Sequence, residues 1–297
     1  MEYLNAASRG QNAQERAITG AHTPLRIHET SESEQRDVAR STLRRADRVS
    51  TILERLAHDG SVDAGRLADD FDVSPATIRR DLQMLEDQKL LSRTHGGAVA
   101  VDVPYELPVL YRGGQHREQK RAIARCAVAR LPHGPLTVGF TGGTTTYEVA
   151  CLLSERFDLT IITNALNIAV ELALRPRLKL IITGGVSRTQ SYELVGPFAD
   201  RLLAGLNIGV AVVGVDGIIA RGGLTTHDEI EAHTNHAMIR RADRVIVVAD
   251  GSKVGQILLA QICPVADVAE LITDSSADPV ALDGIRRAGT EVIIADA

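Results

Sequence analysis

The chain has 297 residues and a formal net charge of −5, with 44% hydrophobic residues, only 3% aromatic residues and no tryptophan. This length predicts two domains, and the hydrophobic fraction is large enough to fill a sizeable core. The acidic balance excludes a uniformly basic nucleic-acid-binding protein, so any DNA-binding surface must be local, and the few aromatic side chains argue against stacking on single-stranded nucleic acid.

The N-terminal segment and the cysteines indicate a cytoplasmic protein without membrane contact. Residues 1–43 show little apolar periodicity, so we expect a disordered tail. The sequence has no apolar run long enough to span a bilayer and no signal-peptide pattern. Cys126, Cys151 and Cys263 lie far apart among apolar neighbours and form no C-x-x-C motif, which is typical of reduced core residues.

Residues 44–101 predict a winged helix-turn-helix. An apolar stripe at helical spacing ends at the turn Asp59-Gly60, and a short second helix follows. In the third helix Ser74 is a good N-cap, and Pro75 suits the first position, where its missing N–H costs nothing. Apolar residues around a Gly-Gly turn at 90–99 are typical of a β-wing. The residues expected to face inward are Val49, Ile52, Leu53, Leu56, Leu67, Ala68, Phe71, Ile78, Leu82 and Leu85.

The third helix presents polar side chains on the face opposite its apolar edge. Arginine can bridge the two acceptors of guanine and glutamine can pair with adenine, so this face suits a DNA major groove. An ordinary solvated helix face is the alternative. The wing is expected to lie near the phosphate backbone. The residues predicted to contact double-stranded DNA are Ser74, Ala76, Thr77, Arg79, Arg80, Gln83, Arg93 and His95.

Residues 102–116 predict a linker, because they contain two prolines and a Gly-Gly pair, and residues 117–297 predict an α/β domain. In this domain a helix at about 117–130 precedes apolar runs that alternate with helical segments, which indicates a doubly wound, largely parallel sheet with helices on both faces. The expected strands lie at residues 137–140, 160–163, 179–183, 210–213, 245–249, 268–273 and 291–295, with 257–262 as an added edge strand.

Polar or glycine-rich residues follow five of the expected strands, at the edge where parallel sheets bind ligands. After the first strand, glycine lets backbone N–H groups approach an anion, and threonine hydroxyls add donors at the positive end of a helix. The segment matches neither a P-loop nor the dinucleotide fingerprint, and a closely packed turn is the alternative. The candidate ligand-binding residues are Thr141, Gly142, Gly143, Thr144, Thr145, Asn164, Gly184, Gly185, Asp216 and Lys253.

Both parts of the chain resemble the DeoR family of bacterial transcriptional regulators. The resemblance implies a winged helix-turn-helix followed by a sensor domain related in fold to ribose-5-phosphate isomerase. It further implies a repressor of a sugar or related carbon-metabolism operon that binds operator DNA and responds to a phosphorylated sugar or related metabolite. Because one helix-turn-helix reads only a few base pairs, we also expect a homo-oligomer (dimer or tetramer). The matching motifs are Val73-Ser74, Thr77-Ile78-Arg79-Arg80-Asp81-Leu82, Leu85-Glu86, Arg93-Thr94-His95-Gly96-Gly97-Ala98, Gly142-Gly143-Thr144-Thr145, Thr163-Asn164, Gly184-Gly185, Leu194-Val195-Gly196-Pro197, Asp216-Gly217, Gly223-Leu224-Thr225-Thr226 and Ser252-Lys253.

Three positions depart from the family's pattern. Lys89 stands where a glycine usually closes the helix, so it gives up the easy left-handed cap but can neutralise the helix C-terminus. Thr141 stands where an acidic residue is common, and Asn235 where a lysine is common, so the identity of the ligand stays open. Glu231, in the helix after Thr226, can supply an acid to the ligand site.

Two alternative functions and one alternative site remain. The chain could be a sugar-phosphate isomerase fused to a DNA-binding module, but proton transfer needs a supported base, and Asp216 has no second aspartate in its loop. We therefore expect no catalytic residues and no cofactor. A constitutive DNA-binding regulator with a non-functional sensor is the other alternative. An exposed polar face is favoured over a metal site for His227, Asp228, His233 and His236.

Overall fold

The computed structural model describes residue 45 and residues 48–53, 55–56, 59–100, 106 and 108–296, and the predicted N-terminal tail lies outside them. Residues 48–53, 55–56 and 59 are helical. The helices that follow are α1 Ala64–Asp70, α2 Pro75–Asp87, α3 Arg117–Ala129, α4 Thr144–Leu153, α5 Leu166–Ala173, α6 Pro197–Ala204, α7 Glu229–Ile239 and α8 Pro279–Arg287. The strands are β1 Ser61–Asp63, β2 Ser92–Arg93, β3 Gly97–Val99, β4 Leu136–Phe140, β5 Leu159–Thr163, β6 Lys179–Ile182, β7 Val186–Arg188, β8 Glu193–Val195, β9 Ile208–Val213, β10 Gly217–Ile219, β11 Gly223–Thr226, β12 Ala242–Val248, β13 Ala260–Cys263, β14 Glu270–Asp274 and β15 Glu291–Ala295. Short 3-10 helices cover Val109–Tyr111, Gly251–Lys253 and Val265–Asp267. No helix among these residues has both the length and the apolar composition needed to cross a bilayer.

The first module is the predicted winged helix-turn-helix. Strands β1, β3 and β2 form an antiparallel sheet in that order. Helix α2 begins as expected, because the Ser74 hydroxyl accepts a hydrogen bond from the Thr77 N–H at 3.2 Å and Pro75 takes the first position. A Cβ at Gly97 would overlap the Val62 carbonyl, so β1 and β3 can pair this closely only at glycine. The buried core comprises Val49, Ile52, Leu53, Leu56, Leu67, Ala68, Ile78, Leu82, Leu85, Leu90, Leu91, Ala98 and Tyr111, with Phe71 partly buried against it.

A buried carboxylate ties α2 to the helical residues before α1. Asp81 is only 2% exposed. It accepts hydrogen bonds from Arg45 Nε at 3.0 Å and from Arg48 Nε at 2.7 Å. Because a buried carboxylate needs a cation close by, these two pairs fix how α2 sits on the module.

The C-terminus of α2 differs from the expectation for Lys89. Lys89 adopts the left-handed conformation, with φ 58°, in place of the family's usual glycine. Its N–H donates to the Glu86 carbonyl at 2.8 Å, and the Leu90 N–H donates to the Leu85 carbonyl at 2.9 Å, which is the Schellman pattern. The expectation that lysine gives up this cap was therefore wrong. Burial of Leu85 and Leu90 stabilises the turn against the strain of a left-handed lysine.

The second module is built on a seven-stranded sheet in the order β15-β14-β12-β9-β4-β5-β6. All the strand pairs in this sheet are parallel. Helices α3, α4 and α5 cover one face, and α6, α7 and α8 cover the other. The predicted doubly wound sheet is thus confirmed. The chain runs outward from β4 in one direction and later from β9 in the other, so the topological switch point lies between these two neighbours.

One strand prediction was wrong, and two small sheets were missed. Residues 257–262 were expected to add an edge strand, but β13 pairs antiparallel with β11 in a separate sheet of order β10-β11-β13. Strands β7 and β8 form a separate antiparallel pair. These strands have only three or four residues, which is too short for an apolar run to reveal which partner they pair with.

The cysteines are free, as expected. Cys263 is buried, and Cys126 and Cys151 are half-buried. Burial raises the pKa of each thiol, to about 11 for Cys151 and about 12 for Cys263. The three thiols are therefore protonated and weakly nucleophilic at neutral pH.

Candidate functional site

A cavity of about 70 Å³ lies at the carboxyl ends of β4 and β9, at the switch point of the parallel sheet. Loops after β4, β9 and β12 line it, together with the linker, α3, α7 and β8. The predicted ligand-binding residues that line it are Gly142, Gly143, Thr144, Thr145, Asp216, Glu231 and Lys253. The structure therefore brings these seven residues together in one cavity, which we call the strand-end cavity.

One wall of the strand-end cavity suits an anion. Gly143 caps α4 with φ 128°, a conformation that favours glycine, and α4 has no acidic residue in its first turn. The first N–H groups of a helix lack intrahelical partners, and they carry its partial positive charge. Lys253 and Lys120 add two cations to the cavity lining. Lys120 is only 4% exposed, and its burial, with Lys253 and Arg112 nearby, lowers its pKa to about 8.

The Asp216 carboxylate lies on the opposite side of the switch point and is ionised. Its Oδ1 accepts a hydrogen bond from Arg112 at 2.6 Å, and its Oδ2 lies 3.0 Å from the Thr226 hydroxyl. Burial alone would raise the pKa of Asp216, but Arg112 and Lys253 outweigh it, so the pKa lies below its usual value. This carboxylate can accept hydrogen bonds from hydroxyl groups of a ligand.

Glu193 is a second acid in the cavity lining and is almost completely buried. It accepts hydrogen bonds from the Gly142 N–H, from Asn235 at 3.1 Å and from Asn164 at 3.3 Å. Burial and the nearby Glu231 nevertheless raise its pKa. A Cβ at Gly142 would overlap the Glu193 carboxyl group, so this packing requires glycine at the start of the loop.

Glu231 belongs to a cluster of ion pairs beside the cavity. Arg188 contacts Glu231 at 3.1 Å, Asp228 at 3.2 Å and Glu106 of the linker at 3.0 Å. Burial raises the pKa of Glu231, although Thr226 and Arg188 oppose this shift. Asp228 caps α7 by accepting hydrogen bonds from two of its N–H groups. Arg188 thus joins the linker to the N-terminus of α7.

Four predicted residues lie outside the cavity lining. Thr141 is buried, and its hydroxyl accepts a hydrogen bond from the Gly214 N–H at 3.0 Å, which joins the loops after β4 and β9. Asn164 is buried behind the cavity, where it donates to Asn235 and Glu193. Gly184 and Gly185 form an exposed turn between β6 and β7. Thr141 and Asn164 therefore support the lining rather than form it.

Sequence reasoning missed five charged residues around this site. Glu106 and Arg112 come from the linker, Lys120 from α3, Arg188 from β7 and Glu193 from β8. None follows a strand of the parallel sheet, which was the signal used to find the site. For Lys120, a signal was present: a lysine among the inward-facing apolar residues of α3.

The predicted DNA-binding residues form an exposed surface on α2 and the wing. Arg79 and Arg80 are exposed, and neither forms an ion pair within the described part of the chain. Gln83 is also exposed, but its amide donates to Asp87 at 2.9 Å and its Oε1 accepts from Arg93. The remaining predicted contacts on this surface are Ser74, Ala76, Thr77 and His95, of which Thr77 is half-buried. We refer to α2 as the recognition helix.

Metal coordination gets no support from the side-chain clusters. Among the described residues, no group of three or more His, Cys, Asp or Glu side chains is arranged to hold a metal ion. His233 lies 3.6 Å from Asp200 and is 71% exposed. Burial lowers the pKa of His227, which favours the neutral imidazole.

Comparisons with known proteins cover both modules. A model of the DeoR-like helix-turn-helix domain matches residues 48–103, and a model of the DeoR C terminal sensor domain matches residues 115–275. The HTH-type transcriptional regulator GlpR of Haloferax volcanii is 35% identical over 249 residues, which cover 84% of this chain and 97% of that protein. The glycerol-3-phosphate regulon repressor of Escherichia coli strain K12 is 31% identical over 233 residues, covering 78% of this chain and 92% of that protein. Among solved structures, ribose 5-phosphate isomerase A of Methanocaldococcus jannaschii matches 49% of this chain and 56% of that chain, with 16% identity and a TM-score of 0.36.

Proposed function

The chain belongs to the DeoR family of DNA-binding transcriptional regulators, and on this premise we propose that it represses a sugar or related carbon-metabolism operon under the control of a phosphorylated sugar-type metabolite. Family membership excludes the isomerase alternative, because the relatives are transcriptional regulators with the same helix-turn-helix. The relative from Escherichia coli, which is a repressor of a glycerol-3-phosphate regulon, supports both the repressor role and the metabolite class.

The observation that carries this proposal is the composition of the strand-end cavity. One wall has the N-terminus of α4 with Lys120 and Lys253, which suits a phosphate group. The other wall has Asp216 and Glu231, which suit the hydroxyl groups of a sugar or polyol. A ligand with a phosphate at one end and hydroxyl groups at the other complements both walls. A cavity with these charges also disfavours the alternative of a sensor that has lost its ligand.

Calorimetry with a panel of sugar phosphates, glycerol 3-phosphate and unphosphorylated sugars tests the proposal. We expect at least one phosphorylated compound to bind and the matching unphosphorylated compound to bind far more weakly. A hydrogen bond between charged groups contributes about 1.5–3 kcal/mol, so Lys253→Met should weaken the best binder about tenfold or more.

Lys179→Met is the matched control for Lys253→Met, because Lys179 is exposed at the start of β6 and does not line the cavity. This substitution also removes one lysine charge, and we expect the Lys179→Met protein to bind the metabolite as tightly as the wild type does. If none of the phosphorylated compounds binds the wild type, or if Lys253→Met binds and responds as well as the wild type, the proposed phosphate site is wrong.

The affinity for the metabolite should depend on pH through Lys120. Its pKa of about 8 lies below its ordinary value of 10.5, so the ammonium loses its proton in the free protein as the pH rises through 8. A phosphate binds the charged form, so the affinity should fall about fivefold between pH 8 and pH 9. Below about pH 6 the phosphate itself gains a proton, and the affinity should fall again. Calorimetry from pH 5 to pH 9.5 measures both limbs.

Lys120→Met separates this residue from other titrating groups. The variant should bind more weakly at pH 7 and lose the decrease above pH 8. A decrease that persists unchanged in Lys120→Met would show that another group is responsible.

We also propose that the protein acts as a homodimer or tetramer. A single helix-turn-helix reads only a few base pairs, and specific sites usually require two copies at paired half-sites. The helix-turn-helix model matches residues 48–103, which form one such module. Analytical ultracentrifugation should therefore show a dimer or larger assembly on operator DNA. A monomer both free and bound to the operator would disprove this proposal.

A further inference from the structure

Two consecutive linker residues contact different modules: Tyr111 packs against the DNA-binding module, and Arg112 lines the cavity of the sensor module. Tyr111 is 3% exposed and packs in the core of the DNA-binding module. Its hydroxyl donates to Gln88 at 2.7 Å, and Gln88 is the C-cap of the recognition helix. The next residue, Arg112, lines the strand-end cavity and binds Asp216 at 2.6 Å. Because consecutive Cα atoms lie about 3.8 Å apart, a movement of the Arg112 backbone also displaces Tyr111.

The contacts of Arg112 depend on the acids that surround it. Its guanidinium bridges Asp216 and Glu106, at 2.6 and 3.1 Å, and its carbonyl accepts a hydrogen bond from Lys120 at 2.8 Å. Its Nε is buried and has no hydrogen-bond partner among the described residues. A guanidinium matches the geometry of a phosphate in a bidentate pair, and a phosphate carries more negative charge than one carboxylate.

The cavity is small for a sugar phosphate, so we expect side chains to rearrange when a ligand enters. Its volume of about 70 Å³ has room for only a few water molecules. Sites for small molecules have volumes of roughly 300–1,000 Å³. A sugar phosphate therefore needs space that side chains now fill. Arg112 directly follows the short 3-10 helix Val109–Tyr111 and lies on no strand or α-helix, so we expect it to move more easily than residues on the strands or on α4.

We infer that Arg112 is a ligand-binding residue supplied by the linker, and that it exchanges Asp216 for the phosphate of the effector and thereby transmits binding to the recognition helix. The exchange frees Asp216 for the hydroxyl groups of the ligand. It also moves Tyr111, and with Tyr111 the core and the helix C-cap of the DNA-binding module. This inference rests on the proposed function, because it names the regulation of the same cavity.

Amide hydrogen exchange of the full-length protein, with glycerol 3-phosphate and inorganic phosphate as probes, tests the inference. In the wild type, either probe at saturation should raise exchange severalfold at residues 109–112 and 88–91. Arg112→Met should bind both probes about ten- to a hundredfold more weakly, as expected for the loss of a charged hydrogen bond. Even when saturated, this variant should show little change at residues 88–91. Arg287→Met is the matched control, since Arg287 is exposed on α8 and its ion pair among the described residues is with Asp283, away from the cavity lining.

A second variant keeps Arg112 and removes its partner. Asp216→Asn should show raised exchange at residues 88–91 without any probe, because the ion pair that holds Arg112 is weakened. If Arg112→Met binds the probes as tightly as the wild type and shows the same exchange response, the inference is overturned while the phosphate site stands. If neither probe nor any sugar phosphate binds the wild type, both the inference and the proposed function are overturned.

Discussion

Replacement of Asp81 by alanine is expected to lower the free energy of unfolding of the DNA-binding module by about 3–5 kcal/mol. Asp81 is 2% exposed and pairs with Arg48, which is itself only 11% exposed. Loss of the carboxylate leaves the Arg48 guanidinium buried without its partner, and this penalty dominates the effect. Small domains are stable by only about 5–15 kcal/mol, so this loss takes up a large share of the module's stability and should raise its unfolded population by a factor of about 10²–10⁴.

Hydrogen exchange measures this loss separately for each module. Amides of residues 61–99 should exchange much faster in Asp81→Ala, while those of the parallel sheet should be unchanged. Asp69→Ala is the matched control, because Asp69 is an exposed aspartate of the same module, and it should change the opening free energy by less than about 0.5 kcal/mol. Addition of Arg48→Met to Asp81→Ala should cost little more, since the unpaired charge is then gone. If Asp81→Ala lowers the free energy of unfolding of the module by less than about 1 kcal/mol, the Asp81–Arg48 ion pair does not stabilise it as expected.

The parallel sheet could be predicted from the sequence because its strands are buried on both faces. Each strand is a continuous apolar run, such as Ile208–Val213, and a helix separates it from the next. The small antiparallel sheets gave no such signal. Strand β13 contains the exposed Gln261 beside buried residues, and it pairs with β11 more than 30 residues earlier in the chain. The pairing of β13 with β11 depends on how both strands pack against one face of the parallel sheet, and the local periodicity of the sequence does not reveal such long-range packing.

The candidate site could be predicted only where it depends on the order of strands and loops. Loops after β4 and β9 meet because neighbouring parallel strands end at the same edge, so Gly143 and Asp216 could be assigned to one site. The charges that complete the cavity come from distant segments. Arg112 and Asp216 are 104 residues apart, and Gly142 and Glu193 are 51 apart. Such pairs depend on how the linker and the antiparallel pair β7–β8 pack against the carboxyl edge of the parallel sheet.

The recognition helix should lose sequence discrimination when Arg80 is replaced. If Arg80 reads a base edge, Arg80→Ala should cost about 1–3 kcal/mol of operator affinity and reduce the preference for the operator over scrambled DNA. Arg80 is exposed and has no ion pair with any described residue, so its guanidinium is available to a base without breaking a contact. Gln83 is less available, because Asp87 and Arg93 already hold its side chain.

Arg93 should behave differently, because the wing is expected to touch phosphate only. Arg93→Ala should weaken operator and scrambled DNA alike, and it should reduce the slope of log affinity against log salt by about one. Titrations of both DNAs at several salt concentrations separate the two roles, with Arg287→Ala as a control far along the chain on α8. If Arg80→Ala keeps the full operator preference, it refutes base reading by Arg80. If Arg93→Ala lowers that preference, the wing reads sequence as well as phosphate. The two arginines therefore test specificity and electrostatic affinity separately, because Arg80 lies on the recognition helix and Arg93 lies on the wing.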